Sequence, residues 1–77
     1  MAKIELTAVT SYCVVIEKAN GNYSAYVPDL PGCVATGNTP DEVNANIREA
    51  IRFHLDGLRE DGLPIPPSEA MCEYLEA

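Results

Sequence analysis

The chain has 77 residues, of which twelve are acidic and five basic, giving a formal net charge of −7 at pH 7. This length suits one domain, placed at residues 1–77, with a thin core that association with another chain often supplements. The charge disfavours direct contact with nucleic-acid phosphates and favours either a basic partner or simply a soluble acidic surface. No apolar run approaches the roughly 20 residues of a membrane span and no signal peptide is visible, so we expect a cytoplasmic protein without membrane contact.

The first third of the chain predicts an antiparallel hairpin. Residues 1–10 form an N-terminal extension with weak alternation, which is consistent with a strand or with an arm that orders on a partner. Residues 12–18 alternate more clearly and are apolar on both faces, which predicts a strand that is central or covered on both sides. Asn20-Gly21 is typical of a tight type I′ turn, and residues 23–27 form the second strand of the hairpin.

A turn rich in proline follows the second strand. Its residues are Pro28, Asp29, Leu30, Pro31 and Gly32. The two prolines cannot donate to a sheet ladder, Gly32 suits a positive φ, and the Asp29 side chain can cap the turn. We therefore expect a structural turn here, followed by a third short strand at residues 33–37.

Residues 39–62 predict one long amphipathic helix. Thr39 suits the N-cap, with Glu42 completing a capping box and Pro40 at the first helical position. Gly62 suits a left-handed residue at the C-terminal end. Apolar residues recur at steps of three and four, namely Val43, Ile47, Ala50, Ile51, His54, Leu55 and Leu58. This stripe predicts a helix that packs along one sheet face.

The segment after the helix begins with a proline-rich connector at residues 63–68. Residues 69–77 are consistent with a closing edge strand at 71–75 or a frayed tail, and their apolar content favours the strand. The predicted fold class is therefore α+β: a three-stranded antiparallel meander, one long helix and a C-terminal strand, in the order β-β-β-α-β. Because one helix cannot cover both sheet faces, we expect the second face or a sheet edge to contact another chain.

Few residues indicate chemistry. Cys13, Cys33 and Cys72 lack the spacing of zinc ligands, so we expect buried apolar thiols, with a reactive or metal-bound cysteine as the alternative. His54 lies on the apolar stripe, which favours a boundary histidine over a catalyst. We therefore assign no catalytic, cofactor-binding or metal-binding residue, and we expect a protein that is not an enzyme and carries no cofactor.

Acidic and basic side chains allow two further interpretations. Asp29, Asp41 and Glu42 are expected near one end of the sheet and could together hold Mg²⁺, although each also has a structural role as a turn or helix cap. On the helix, Asp56 falls at pair spacing from Arg52 and Arg59, which indicates either a solvated face or a contact surface.

Candidate partner contacts combine aromatic side chains of the hairpin with charged side chains of the turn and helix. They are Tyr23, Tyr26, Asp29, Arg52 and Asp56.

Several short motifs occur together between residues 12 and 68. They are YSAYVPDLPGC at 23–33, Gly37-Asn38-Thr39, Glu42, Asn46, Glu49-Ala50-Ile51 and PIPPS at 64–68. In this combination the chain resembles the HicB antitoxin family, also described as HicB-like domains.

The resemblance implies a partial ribonuclease-H-like fold without a working nuclease site. It also implies a partner, since typical members bind and inhibit HicA, a small basic toxin that cleaves mRNA. Many members continue into a DNA-binding domain, which we do not expect here, so this chain is expected to make no direct contact with nucleic acid. Self-association as a homodimer or larger assembly is also expected. The alternative is an orphan HicB-like domain that acts as a homo-oligomeric scaffold or a binder of small ligands.

Overall fold

The computed structural model describes residues 11–76 and shows a two-layer α+β fold. Three strands, β1 (Val15–Ala19), β2 (Asn22–Tyr26) and β3 (Val34–Gly37), precede the helix α1 (Pro40–Glu60). The strands form one antiparallel sheet in the order β1-β2-β3. The predicted meander and helix are therefore confirmed, and the predicted N-terminal extension lies outside the described residues.

The hairpin between β1 and β2 closes at the predicted turn. Ala19 pairs with Asn22, leaving Asn20 and Gly21 as the two-residue loop, and Gly21 has a φ of 80°. A positive φ of this size is easy for glycine and costly for residues with a Cβ, which explains why the turn forms here.

The first strand was predicted to be central or covered on both sides, whereas β1 is an edge strand of the sheet that residues 11–76 form. Strand β1 begins at Val15, three residues later than expected, and pairs only with β2 among the described residues, so β2 is central. Four of the five β1 residues are exposed. The apolar residues on both faces of this strand indicated that other elements would pack against each face. The helix α1 instead packs mainly against β2 and β3.

Both ends of α1 are capped by the expected residues. The Thr39 hydroxyl accepts a 3.0 Å hydrogen bond from the Glu42 amide, and the Glu42 carboxylate accepts one from the Asn38 amide. At the other end the Leu63 amide donates to the Leu58 carbonyl at 2.9 Å, while Gly62 takes a φ of 70°. These bonds satisfy amides and a carbonyl that a helix leaves unpaired at its ends.

The core lies between α1 and the sheet. Its buried members are Ala25, Val27, Leu30, Cys33, Val43, Ile47 and Leu55. Leu30 and Val43 are fully buried, and burying a side chain of this kind stabilises the fold by about 1.5–3 kcal/mol. The first turn of the helix lies very close to β3. A Cβ added to Gly37 would lie only 2.5 Å from the Val43 backbone nitrogen, so this position has no space for a side chain.

The C-terminal strand predicted at residues 71–75 is not present. Residues 63–76 have no regular secondary structure, and the amides of Glu69 and Ala70 donate to the Asp29 carboxylate at 3.1 and 3.0 Å instead of to a strand. Since these amides are engaged by a side chain, they do not begin a sheet ladder. Beyond them, the side chains of Met71 and Leu75 are 84 % and 81 % exposed.

The cysteine prediction was right for one residue and wrong for two. Cys33 is a buried free thiol. Cys13 and Cys72 instead form a disulfide, with their Cα atoms 5.9 Å apart. Because the two residues are separated by 59 positions, no spacing in the sequence indicated the bond. Disulfides persist mainly in oxidising compartments, so the cytoplasmic location stays a prediction.

Candidate protein-binding surface

The turn between β2 and β3 is fixed by its own backbone. Leu30 donates to the Val27 carbonyl and Cys33 donates to the Leu30 carbonyl, each at 3.0 Å, while the Val27 amide donates to the Cys33 carbonyl at 3.2 Å. Gly32 takes a φ of 84°, and the Leu30 side chain is fully buried beneath the turn. The turn therefore serves as an anchor that sets where β3 begins. Its outer residues Pro28 and Pro31 are exposed.

Asp29 connects this turn to the C-terminal segment. Its half-buried carboxylate holds the amides of Glu69 and Ala70. Tyr12 makes a second connection, because its hydroxyl donates to the Pro66 carbonyl at 2.6 Å. Burial raises the pKa of Tyr12, and the nearby negative charge of Asp29 raises it further. Asp29 thus has an internal role in this structure, in addition to its place among the candidate partner contacts.

The two candidate tyrosines lie on opposite faces of the sheet. Tyr26 is 43 % exposed on the outer face, which α1 does not cover, and it stands in register between Val15 and Val34. Tyr23 faces the helix and packs against the core. Because side chains alternate along a strand, no single partner surface of the sheet presents both tyrosines.

The charged candidates lie on the outer side of α1. Arg52 pairs with Glu49 at 3.5 Å, and Arg59 pairs with Asp56 at 3.1 Å. The predicted ion pair between Asp56 and Arg59 therefore forms, whereas Arg52 pairs with Glu49 and not with Asp56. All four side chains are more than 60 % exposed, so these pairs add little stability. The five candidate contacts do not converge on one surface.

A different set of exposed apolar side chains lies at the β3 edge of the sheet. Tyr26 and Val34 are cross-strand neighbours, and Val34 also lines an open groove of about 460 Å³ with Phe53 of α1. Val34 is 64 % exposed and Phe53 is 82 % exposed. We call Tyr26, Val34 and Phe53 the β3 patch. Exposed apolar side chains that are grouped at one edge of a sheet in this way favour a protein-binding surface.

Phe53 was missed in the sequence because it stands outside the apolar stripe of the helix. The usable signal is its position: it is the chain's single phenylalanine, and it follows Arg52 on the polar side of an amphipathic helix. A large aromatic residue has no packing role there. Its exposure therefore favours a contact function over a core function.

The helix row that carries Phe53 is acidic. Glu49 precedes it by four residues and Glu60 follows it by seven, spacings that place all three on one side of α1. Both glutamates are exposed. Because Glu49 is paired with Arg52, its charge beside Phe53 is partly offset, and Glu60 is the glutamate of this row that borders the β3 patch with negative charge.

The groove beside the patch also contains two residues that could carry chemistry. Cys33 forms part of its wall, and burial raises the pKa of this thiol, which disfavours the reactive thiolate. His54 is half-buried in the same groove. Within residues 11–76 there is no group of three or more His, Cys, Asp or Glu side chains that could hold a metal ion. Asp29, Asp41 and Glu42 therefore form no metal cluster there.

The fold and this surface define a small two-layer α+β domain with exposed apolar side chains at a sheet edge. In the part of the chain that the structure describes, α1 is too polar to cross a membrane. Residues 12–77 match the family described as HicB_like antitoxin of bacterial toxin-antitoxin system, and the chain belongs to this family. The resemblance found in the sequence motifs is therefore confirmed.

Proteins of a phage, of archaea and of bacteria are similar to this chain in sequence. An uncharacterized protein of the rep-hol intergenic region of Haemophilus phage HP1 is 42 % identical over 64 residues, which cover 83 % of this chain and 48 % of the phage protein. This chain thus spans about half the length of that relative. A UPF0150 protein of Thermoplasma acidophilum is 42 % identical over 77 % of this chain and 87 % of its own length.

A solved structure shares both the fold and part of the sequence. A chain in the structure titled HicA3 and HicB3 toxin-antitoxin complex superposes with a TM-score of 0.66 at 33 % identity. The match covers 77 % of this chain and 70 % of that chain. Family and structure together assign the protein to toxin–antitoxin systems.

Proposed function

We propose that this protein is an antitoxin that binds and neutralises a small, basic, HicA-like ribonuclease. The observation that carries the proposal is the match, at 33 % identity, to a chain of a toxin–antitoxin complex. The family assignment supports a regulatory binding role in place of catalysis. We further propose that the fold is a partial ribonuclease-H-like fold without nuclease activity.

The charge of the chain supports the same partner. A ribonuclease must hold RNA phosphates and therefore presents positive charge, which a protein with a net charge of −7 attracts. Complementary charge speeds the encounter and suppresses wrong partners, while apolar contacts supply most of the affinity. An acidic antitoxin with an apolar centre to its binding surface meets both requirements.

The β3 patch is our proposed toxin-binding surface. Phe53 and Tyr26 are the aromatic side chains that protein interfaces favour as anchors, and Val34 joins them across the edge strand. Glu60 places negative charge on the same side of α1 as Phe53. The toxin would cover this patch and in doing so lose access to RNA.

Binding and growth rescue test the proposal. A small basic HicA-like toxin is co-expressed with this chain, and we expect complex formation, relief of growth arrest and inhibition of RNA cleavage. Phe53→Glu should weaken toxin binding by at least about tenfold, the usual cost of losing an interface anchor. Leu63→Glu is the matched control, because Leu63 is 51 % exposed but does not line the β3 patch.

Two results would count against this function. If wild-type protein neither binds nor rescues, the alternative of an orphan homo-oligomeric scaffold or small-ligand binder is favoured. If wild type binds but Phe53→Glu and Leu63→Glu behave alike, the antitoxin role holds and the β3 patch is the wrong surface.

A further inference from the structure

Residues 69–76, which we call the acidic segment, have a helix-forming sequence but no helix in the structure. The segment contains no glycine, proline or β-branched residue. Six of its eight residues are strong helix formers, namely Glu69, Ala70, Met71, Glu73, Leu75 and Glu76. Ser68, directly before them, is a preferred residue at a helix N-cap. The sequence thus favours a helix that begins after Ser68, whereas the segment has no regular secondary structure.

The start of the acidic segment is held as the start of a helix would be. The amides of Glu69 and Ala70 would be the first two of such a helix, and a helix leaves its first amides without an internal partner. Both amides donate to the Asp29 carboxylate, at 3.1 and 3.0 Å. A negative charge at this position also stabilises the positive end of the helix dipole. Asp29 therefore already supplies the cap that a helix would need here.

The acidic segment is too short to form a stable helix without further packing. An isolated helix needs roughly 12–15 residues to be stable in water, and this segment has eight. The apolar side chains of Met71, Tyr74 and Leu75 are exposed, so they do not stabilise a helix by packing against the domain. The bond from Cys72 to Cys13 restricts the segment, which lowers the entropic cost of ordering it. What a helix still lacks is an apolar surface on which to pack.

A helix would sort the side chains of the acidic segment onto two opposite faces. The apolar side chains are spaced three and four residues apart and would form one face: Met71, Tyr74 and Leu75. The glutamates are also spaced four and three residues apart and would form the other: Glu69, Glu73 and Glu76. An amphipathic helix of this kind binds a partner by placing its apolar face in an apolar groove.

The charge and the position of the acidic segment indicate the partner. Residues 60–76 contain five acidic residues and no basic one, so they attract a basic protein. Asp29, which holds the segment, lies in the turn between β2 and β3. Tyr26 is the last residue of β2 and Val34 the first of β3, so the β3 patch lies at the same end of the sheet as this turn. One basic partner can therefore contact both the patch and the segment.

We propose that the acidic segment folds into an amphipathic helix when the chain binds its basic toxin. Met71, Tyr74 and Leu75 are then buried in an apolar groove of the toxin, and the glutamates on the other face speed the encounter through their charge. Asp29 caps the helix in the free chain and in the complex. This inference rests on the proposed function, because the toxin is the partner, and it adds to the β3 patch a contact that becomes ordered only on binding.

A matched pair of substitutions at Glu73 tests the proposal. Glu73→Ala and Glu73→Pro remove the same charge, but alanine favours a helix whereas proline at its fifth position breaks it. Titration should give a Kd for the toxin that is at least about tenfold higher for Glu73→Pro than for Glu73→Ala. The two free proteins should melt at the same temperature, because Glu73 is exposed in a segment without regular secondary structure.

Nuclear magnetic resonance reports the folding step directly. The Cα chemical shifts of residues 69–76 should move to helical values when toxin is added to wild type or Glu73→Ala, and should not do so in Glu73→Pro. Leu75→Ser should weaken toxin binding by about tenfold, the usual cost of losing an interface anchor. Glu76→Gln is its matched control on the other face and should have a smaller effect on the Kd.

The outcomes distinguish this inference from the proposed function. If wild type does not bind the toxin, the proposed function fails and the folding step fails with it. If wild type binds but the two Glu73 variants have equal Kd values, the folding step is overturned and the antitoxin function stands. Chemical shifts of residues 69–76 that stay unchanged in the complex would overturn it in the same way. Equal effects of Leu75→Ser and Glu76→Gln would overturn the burial of the apolar face.

Discussion

The carboxylate of Asp29 accepts a 3.0 Å hydrogen bond from the backbone amide of Ala70, which lies 41 positions further along the chain. The same oxygen atom also accepts from the Glu69 amide at 3.1 Å. One side chain in the turn after β2 therefore holds the segment that follows α1. This contact joins the turn after β2 to the C-terminal segment of the chain.

Removal of the Asp29 carboxylate should release this segment. We expect Asp29→Ala to lower the free energy of unfolding by about 1–3 kcal/mol, since hydrogen bonds to a charged acceptor are worth more than neutral ones. Asp29→Asn keeps one acceptor oxygen and should lose less. Chemical denaturation measures the stability, and hydrogen exchange at the Glu69 and Ala70 amides reports the local release. Equal exchange in Asp29→Ala and wild type would contradict this role.

The disulfide between Cys13 and Cys72 should stabilise the fold by constraining the unfolded chain. For a closed loop of this length the chain-entropy model gives at most about 4 kcal/mol. We expect the double variant Cys13→Ser and Cys72→Ser to unfold at lower denaturant concentration than wild type under non-reducing conditions. Thiol titration of unreduced protein should find one free thiol, that of Cys33, and reduction should raise the number to three.

A reductant provides the control for this prediction. It should destabilise wild type and leave the double variant unchanged, because the variant has no bond to break. Three free thiols in unreduced protein would show that the bond is absent in solution. The Asp29 and Tyr12 contacts would then hold the C-terminal segment without it.

Local sequence signals were sufficient to predict the hairpin turn and the start of the helix. Thr39 and Glu42 cap the helix through contacts three residues apart, and the Asn20-Gly21 turn depends on its own backbone. Such features are written in adjacent residues, so the sequence predicts them well. The residues of the family motif likewise form a turn whose backbone–backbone hydrogen bonds stay within residues 27–33.

Contacts between distant residues could not be predicted in the same way. The Cys13–Cys72 bond spans 59 positions, and neither cysteine has a neighbour that marks it as paired. The Asp29 contacts hold the amides just before residues 71–75, and no periodicity in the sequence reveals them. The edge position of β1 was missed because alternation indicates which residues share a face but not how many neighbours a strand has.

Alkaline pH should destabilise the protein through the buried thiol of Cys33 and the half-buried hydroxyl of Tyr12. Burial raises the pKa of Cys33 above its ordinary value of 9.0, and burial together with Asp29 raises the pKa of Tyr12 above 10.0. Above these ordinary values the groups ionise in the unfolded chain while they stay neutral in the folded protein, so unfolding becomes more favourable. The stability contribution is complete below about pH 9 and declines as the pH rises through the folded-state pKa values.

Denaturation midpoints between pH 7 and pH 11 measure this effect. Tyr12→Phe should be less stable than wild type at pH 7, because the hydrogen bond to Pro66 is lost. It should also show a smaller decline above pH 10, since one of the two ionising groups is absent. A decline that is identical in both proteins would show that Tyr12 does not contribute.

A side chain at Gly37 should change the β3 patch by moving α1 relative to β3. A Cβ at this position would lie 2.5 Å from the backbone nitrogen of Val43 and 2.8 Å from its Cα, a contact that only a shift of α1 against β3 can relieve. Overpacking of this kind typically costs about 1–3 kcal/mol. Because Val34 and Phe53 lie on the two elements that must separate, we expect Gly37→Ala to weaken toxin binding as well as folding. Gly57→Ala is the matched control for stability alone, because a Cβ there meets nothing within 4 Å and alanine should stabilise the helix by up to about 1 kcal/mol, whereas Gly57 lines the groove beside the β3 patch. Thermal melts should therefore show a lower melting temperature than wild type for Gly37→Ala and a higher one for Gly57→Ala, and toxin-binding titrations should show weaker binding by Gly37→Ala. Equal melting temperatures for the two variants would contradict the close approach of helix and strand.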